Sequence, residues 1–222
     1  MIQIADGKLS DGKLADGRVA RGDRTRAAAL DSAIALATEA GLDGLTLGQL
    51  ADRLGVSKSG LFAHWRSKEE LQLATIERAR ESFKERVVAA AMDEPAGVGR
   101  LWKLHEARLE YIADDRLPGG CFFVNAQFEY DAKTGPVRER LAEVLAEWLA
   151  LIERLAAEAV DAGDLAADVD VAQLAFEINA VGAATVYQSR LLPGSAVMSL
   201  ARTAVLTRLK SACTYPELLP RS

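Results

Sequence analysis

The segment Thr46 to Leu71, TLGQLADRLGVSKSGLFAHWRSKEEL, constrains this chain more than any other, because it spells two short helices joined by a tight turn and then the start of a third. Leu47, Leu50, Ala51 and Leu54 recur at the steps of one helix face. Gly55 supplies the left-handed turn position, and Val56 is placed to fill the gap between the two helices. Ser57 stands as cap of the second helix. There Leu61 and Trp65, four residues apart, turn inward and leave Lys58, Ser59, Gly60, Phe62 and Ala63 facing outward. Ser67 with Glu70 three residues later is the capping-box signature of a further helix. A helix pair built this way presents its second member to the major groove of DNA.

The rest of the chain predicts an all-α protein. Half of the 222 residues are apolar, only 6% are aromatic, and Ala and Leu dominate, without strand-like runs of Val, Ile and Thr. The formal net charge of -5 runs against nucleic-acid binding, yet its distribution does not. From Ser57 to Lys68 stand Lys58, Arg66 and Lys68 with no acid, and Arg18, Arg21, Arg24 and Arg26 cluster around the start of the first helix. With so few cations per copy, affinity for a duplex has to come from two copies acting together. Cys121 and Cys213 lack ligand spacing and read as reduced thiols, with a disulfide or redox switch as the alternative. No apolar run approaches the roughly 18 residues of a membrane span, and no signal-type segment opens the chain, so a cytoplasmic protein is expected.

Along the chain, residues 6–20 repeat a five-residue unit, DGKLS, DGKLA, DGRVA, and are read with their neighbours as a flexible arm over 1–22, either simply mobile or touching DNA. The first helix is expected from Asp23 to Ala40, with Ala29, Ala33, Leu36 and Ala40 as its inner stripe. A helix from Ser67 to about Met92 follows the motif, with Leu73, Ile76, Ala79, Phe83, Val87 and Ala90 on one side. Its length makes it a lever between the halves. Helices are then expected from Val98 to Asp114, Cys121 to Tyr130, Gly135 to Ala162, Val171 to Leu191 and Ser195 to Ala212. The third of these is apolar on more than one side and needs several partners, and the fourth is unusually small at Ala180 to Ala184. The resulting units are an arm at 1–22, a helix-turn-helix domain at 23–70 and a C-terminal helical domain at 71–215.

The motif resembles the N-terminal signature of the tetracycline-repressor (TetR) family. The matching residues are Gly55-Val56-Ser57, Phe62-Ala63-His64-Trp65 and Ser67-Lys68-Glu69-Glu70-Leu71, extended upstream through Gly41-Leu42-Asp43-Gly44-Leu45-Thr46. The resemblance covers about a fifth of the chain. It implies a sequence-specific, homodimeric transcriptional regulator of the repressor type, released from a palindromic double-stranded DNA operator by a small molecule. It places Thr46 and Lys68 at phosphates, and Ser57, Lys58, Ser59, Gly60, Phe62 and Ala63 along the recognition helix, with Lys58 first for a base contact. His64 stands either at the backbone phosphates or packed beside Trp65. Phe62 departs from the family's usual tyrosine and Gly48 from a common polar residue, and both changes bear on the operator read.

The same resemblance implies an effector site and a four-helix dimer contact in the C-terminal half. Candidates for the site are Trp102, His105, Phe122, Phe123, Asn125, Phe128, Phe176, Asn179 and Tyr187, a mix that fits a pocket or a packed core equally. An apolar or amphipathic effector is expected. Candidates for the dimer contact are Leu145, Trp148, Leu149, Ile152, Ala180, Ala183 and Ala184, on the helices at 135–162 and 171–191. Metal-ligand spacing, a phosphate-binding glycine loop and a nucleophile elbow are missing, so no enzyme activity and no cofactor are expected. The alternatives are a nonspecific architectural DNA binder, disfavoured by the net charge, and, more remotely, an enzyme that kept a vestigial helix-turn-helix.

Overall fold

The computed structural model describes residues 11–194 and 196–221, and among them every regular element is a helix. The first, α1, runs over Asp11–Ala40. It is therefore already helical at Asp11, ahead of the expected start at Asp23, so 11–22 of the expected arm is helical, while residues 1–10 lie outside the described part. Extending a helix already held by packing costs little per residue, and Lys, Leu, Ala and Arg offset the glycines in the repeat. The inner stripe of α1 is Ala29, Leu30, Ala33, Ile34 and Ala37; Leu36 is half-buried and Ala40 is exposed, a correction to the expected face.

Next come α2 (Leu47–Leu54) and α3 (Lys58–Phe62), then α4 (Lys68–Phe83). The last of these continues through a π-helical turn, Lys84–Val88, into α5 (Ala89–Met92). This wider turn explains one difference from expectation. Ala79, Val87 and Ala91 are fully buried and Phe83 packs against the same core, a run of four-residue steps that puts Ala91, not Ala90, inward.

The C-terminal half holds α6 (Val98–Ile112), α7 (Phe122–Tyr130), α8 (Pro136–Asp161), α9 (Val171–Leu191) and α10 (Val197–Ala212). The sequence readings of these helices agree to within two residues at each end, because proline at the first position of α8, the Asp170 cap of α9 and the left-handed Gly163 set the boundaries locally. Among its neighbours α8 touches α4, α6, α7 and α9, the several partners its broad apolar surface requires. A single apolar core joins both halves, from Leu30 and Leu50 through Ile76 to Leu209, and includes Leu219 beyond the expected boundary at 215. No helix among the described residues is long and apolar enough to cross a membrane.

Candidate nucleic-acid interface and a cavity between helices

Local capping builds the DNA-reading head. Thr46 Oγ1 accepts from Gln49 N at 3.2 Å while Thr46 N donates to Gln49 Oε1 at 3.0 Å, the reciprocal box that starts α2. The Thr46 hydroxyl donates to the same Gln49 oxygen at 3.0 Å, so it is held within the cap. What remains for a phosphate there is backbone N–H at the helix start, and Gly48 adds no side chain to obstruct it. Gly55, at φ 65, closes α2 by donating to Asp52 O at 3.3 Å. The backbone of Val56 closes on Ala51 O, but its side chain is 48% exposed; the space between the helices is filled by Leu50, Ala51, Leu61 and Trp65 instead.

Ser57 Oγ accepts from Gly60 N at 3.2 Å and caps the five-residue α3. Lys58, Ser59, Gly60, Phe62, Ala63 and His64 all lie exposed on one side of the molecule's surface, over the buried Leu61 and Trp65. The Lys58 ammonium lies 5.9 Å from the Phe62 ring centre, and the His64 ring is tilted against Trp65 at 5.6 Å while remaining open to solvent. Ser67 Oγ accepts from Glu70 N at 3.0 Å; the Glu70 carboxylate accepts from Arg66 N at 2.7 Å, one residue ahead of the cap. Lys68, expected at a phosphate, pairs with Asp43 at 3.2 Å, and Lys133 holds the other oxygen of Asp43 at 3.1 Å. These two lysines, Lys133 before Lys68, hold the Asp43 carboxyl below its usual range.

The head is tied to the C-terminal half through the loop before α2. Glu129, near the end of α7, accepts from Leu42 N at 2.7 Å and Asp43 N at 3.1 Å. Gly41 makes this possible: its φ is 83, and a Cβ there would come within 2.6 Å of the Glu129 carboxylate. Buried Gln72 of α4 donates to both Leu42 O at 2.8 Å and the Tyr130 hydroxyl at 3.0 Å. Burial, ahead of the carboxylates of Asp43 and Glu129, pushes the Tyr130 hydroxyl up to about 12. Thr38 adds a further tie by accepting from Gly119 N at 3.1 Å.

A cavity of about 270 Å³ lies between α4, α6, α7, α8 and α9. Its walls include Phe83, Val88, Phe123, Val124, Val144, Leu145, Trp148 and Leu151, with Cys121, Gln127, Arg108 and Asn179 as polar members and Arg80, Lys84, Glu147 and Arg154 completing the lining. Of the expected site residues, Phe123 and Asn179 line it. The others do not. Phe122 is buried edge-on against Phe123, Asn125 donates to Gly119 O at 2.7 Å, and Trp102 and His105 pack together away from the cavity. Phe128, Phe176 and Tyr187 are on the surface. Arg108, which sequence reasoning passed over, sits where α6 turns its apolar face inward, one helical step after Leu104; that position was the available signal.

The expected dimer residues also divide. Ile152 is fully buried inside its own chain, and Leu145 and Trp148 face the cavity, because this side of α8 packs onto the bundle while its opposite side, with Glu139, Glu143 and Ala150, is exposed. Leu149 is half-buried. On α9, Ala180 is exposed and Ala183 and Ala184 are half-buried, in line with exposed Phe176, Tyr187 and Leu191. Beside them α10 exposes Leu200. Both cysteines are free: Cys121 in the cavity wall, Cys213 half-buried where the chain bridges to Leu165.

A capped helix pair presenting a short cationic helix, backed by a helical domain with a partly open cavity between its helices, defines a helix-turn-helix regulator. Comparison with known proteins sharpens the class. Residues 29–75 match the family model described as bacterial regulatory proteins, tetR family, and residues 97–205 match the tetracyclin repressor-like C-terminal domain. The HTH-type transcriptional repressor BepR of Brucella suis biovar 1 is 32% identical over 146 residues, covering 65% of this chain and 70% of its own. A TetR transcriptional regulator from Chloroflexus aurantiacus superposes with a TM-score of 0.80 at 27% identity, covering 87% of this chain and 98% of that one. The regulator CifR, determined as a cysteine mutant with double-strand operator DNA, superposes at 0.70 with 23% identity, covering 81% and 95%. The chain belongs to the TetR family and is a DNA-binding transcriptional regulator of the repressor type.

Proposed function

We propose that the chain acts as a homodimeric repressor whose two recognition helices enter successive major grooves of a palindromic operator, roughly 34–36 Å apart, and that a small apolar or amphipathic molecule in the cavity releases it. The observation that carries this reading is the double role of α7. Cys121 at its cap, then Phe123, Val124 and Gln127, wall the cavity, and Glu129, one turn on, holds the loop that precedes α2. A ligand that shifts α7 therefore moves the head directly. The lever is doubled by α4, which starts in the head at Lys68 and reaches the cavity at Arg80, Phe83 and Lys84. The ligand must favour one arrangement over the other by the usual 1–3 kcal/mol or so of an allosteric coupling.

In this reading Lys58, Ser59, Gly60 and Ala63 meet base edges, Phe62 offers its ring to a thymine methyl, and His64 reaches the backbone. The start of α2 at Thr46 binds phosphate through backbone N–H rather than the hydroxyl. Ser57 preserves the helix rather than touching DNA, and Lys68 reaches a phosphate only by leaving Asp43. The dimer forms through α9 and α10, since Phe176, Tyr187, Leu191 and Leu200 make an exposed apolar face across these two adjacent helices, which supports an isologous contact there. This replaces the pairing of α8 with α9 that the sequence suggested.

The test is to incubate the purified protein with fragmented DNA from its own genome at near-physiological salt and sequence what is retained. A palindromic site is expected. Retention without a common motif would instead favour nonspecific binding and overturn the reading.

A further inference from the structure

The cavity holds a charge that no acid among the described residues answers. Arg108 is 4% exposed, lies in the cavity wall, and has no carboxylate within ion-pair distance among the described residues. Its Nε has no hydrogen-bond partner, and Nη1 makes one long contact, 3.4 Å to Asn179 O. The remaining support is the face of Trp148, 5.3 Å from the guanidinium carbon. A guanidinium carries five N–H donors in a rigid fork and keeps its proton even when burial pulls its pKa down, as it does here. An uncompensated buried cation is among the costliest features a fold can carry. Gly182 of α9 is shaped around it, because a Cβ at that position would overlap the guanidinium.

The surroundings favour one kind of guest. Asn179, in the same wall, accepts from Trp148 Nε1 through Oδ1 at 3.1 Å, and its amide nitrogen has no partner among the described residues. Of the other cations at the cavity, Arg80 pairs with Glu147 and Arg154 with Glu158, while Lys84 has no acid partner among the described residues; Glu147, the one acid of the lining, is also held by Arg140. Opposite the polar corner, Phe83, Val144, Leu145 and Leu151 form an apolar wall. At about 270 Å³ the space sits at the small end of ligand pockets, which start at roughly 300 Å³, so it admits a short chain or a single ring.

We infer that the cavity takes an organic anion, a carboxylate on a compact apolar body, with the acid group bound by the fork of Arg108 and the amide of Asn179. The bidentate match of guanidinium and carboxylate fixes the head of the ligand, and the apolar wall takes its body. This deepens the effector reading above and rests on the cavity being the effector site.

Calorimetry on the full chain, without DNA, tests it with four probes: octanoate and phenylbutyrate, and their neutral counterparts octanamide and phenylbutyramide. At least one acid binds, and at least about tenfold more tightly than its own amide, because a charge-assisted pair is exchanged for neutral bonds. Arg108→Met brings acid and amide to parity while the circular dichroism spectrum is unchanged, and its melting temperature without ligand rises. Gly182→Ala, whose Cβ displaces the guanidinium without removing it, is the second variant; it weakens the acid and leaves the amide alone. Equal binding of acid and amide, an acid preference that survives in Arg108→Met and Gly182→Ala, or no binding by any probe overturns the inference. Since no DNA is present, the outcome is separable from the regulator reading: an operator recovered without acid preference removes only the anion, and acid preference without an operator removes only the repressor.

Discussion

Replacing Glu129 by Gln should loosen the DNA-reading head in a way the structure lets one size. The carboxylate accepts two backbone N–H groups, from Leu42 at 2.7 Å and Asp43 at 3.1 Å, the shortest direct ties between α7 and the loop before α2, beside the longer bond of the Tyr130 hydroxyl to Asp43 at 3.4 Å. An amide of the same shape keeps one acceptor and turns an NH2 toward the other N–H. Hydrogen bonds to a charged acceptor contribute about 1.5–3 kcal/mol each, and solvent recovers part of the loss at the exposed Asp43 end, so about 2 kcal/mol is lost. For a chain of this size that is about 4–8 °C in melting temperature, measured at fixed protein concentration because a dimer's melting depends on it. Amide exchange should accelerate at Leu42 and Asp43 but not in α8. On the proposed coupling, any ligand that binds the cavity should release Glu129→Gln from operator less effectively than wild type. A melting change under about 1 °C with unchanged exchange at Leu42 would refute the reasoning.

Other consequences can be checked separately. Burial first, then the neighbouring Arg108 charge, holds the His105 imidazole at about 4 against its ordinary 6.5, and its ring nitrogen Nε2 lies 3.2 Å from Ala201 O. Above pH 6.5 both folded and unfolded chains carry it neutral and its contribution is complete. As pH falls through 6.5 toward 4 the unfolded chain binds the proton first, so stability drops, by about 2 kcal/mol at pH 5. Denaturant melts at pH 7 and 5 should show that loss in wild type and much less of it in His105→Gln; equal slopes would disprove it. Phe176→Glu with Leu200→Glu should yield monomers in analytical ultracentrifugation without disturbing the fold, since both side chains are exposed; a persisting dimer would relocate the interface. Lys58→Ala should redistribute base preference at one operator position. Lys68→Ala, whose exposed pair with Asp43 is worth under about 1 kcal/mol, should lower affinity for all sequences alike or hardly at all.

The parts of this protein readable from the chain are those decided over a few residues. Thr46, Ser57 and Ser67 cap the helices that follow them, Gly55 takes the left-handed turn, and Leu61 and Trp65 face inward, because capping and helical periodicity act within one or two turns. The same locality made the all-α class and the bounds of α6 to α10 legible. Periodicity, however, shows which side of a helix is apolar and not what covers it. Trp148 and Ile152 share a stripe on α8, yet one faces the cavity and the other is sealed in the core. Phe176 and Tyr187 read as pocket residues and lie on the surface. The phase of the helix beyond Phe83 needed the π turn, a departure that no repeat in the sequence announces.

Charge partners were equally hidden, since they join residues far apart along the chain. Lys68 meets Asp43, Glu129 meets Leu42, and Arg108 meets no acid among the described residues. The sequence by itself determined the reading head, down to which side chains of α3 face solvent. Only the tertiary structure decided where the cavity lies, which cation is left open in it, and which helices remain uncovered, because packing between distant segments, and not the preference of any one of them, settles what a helix face meets.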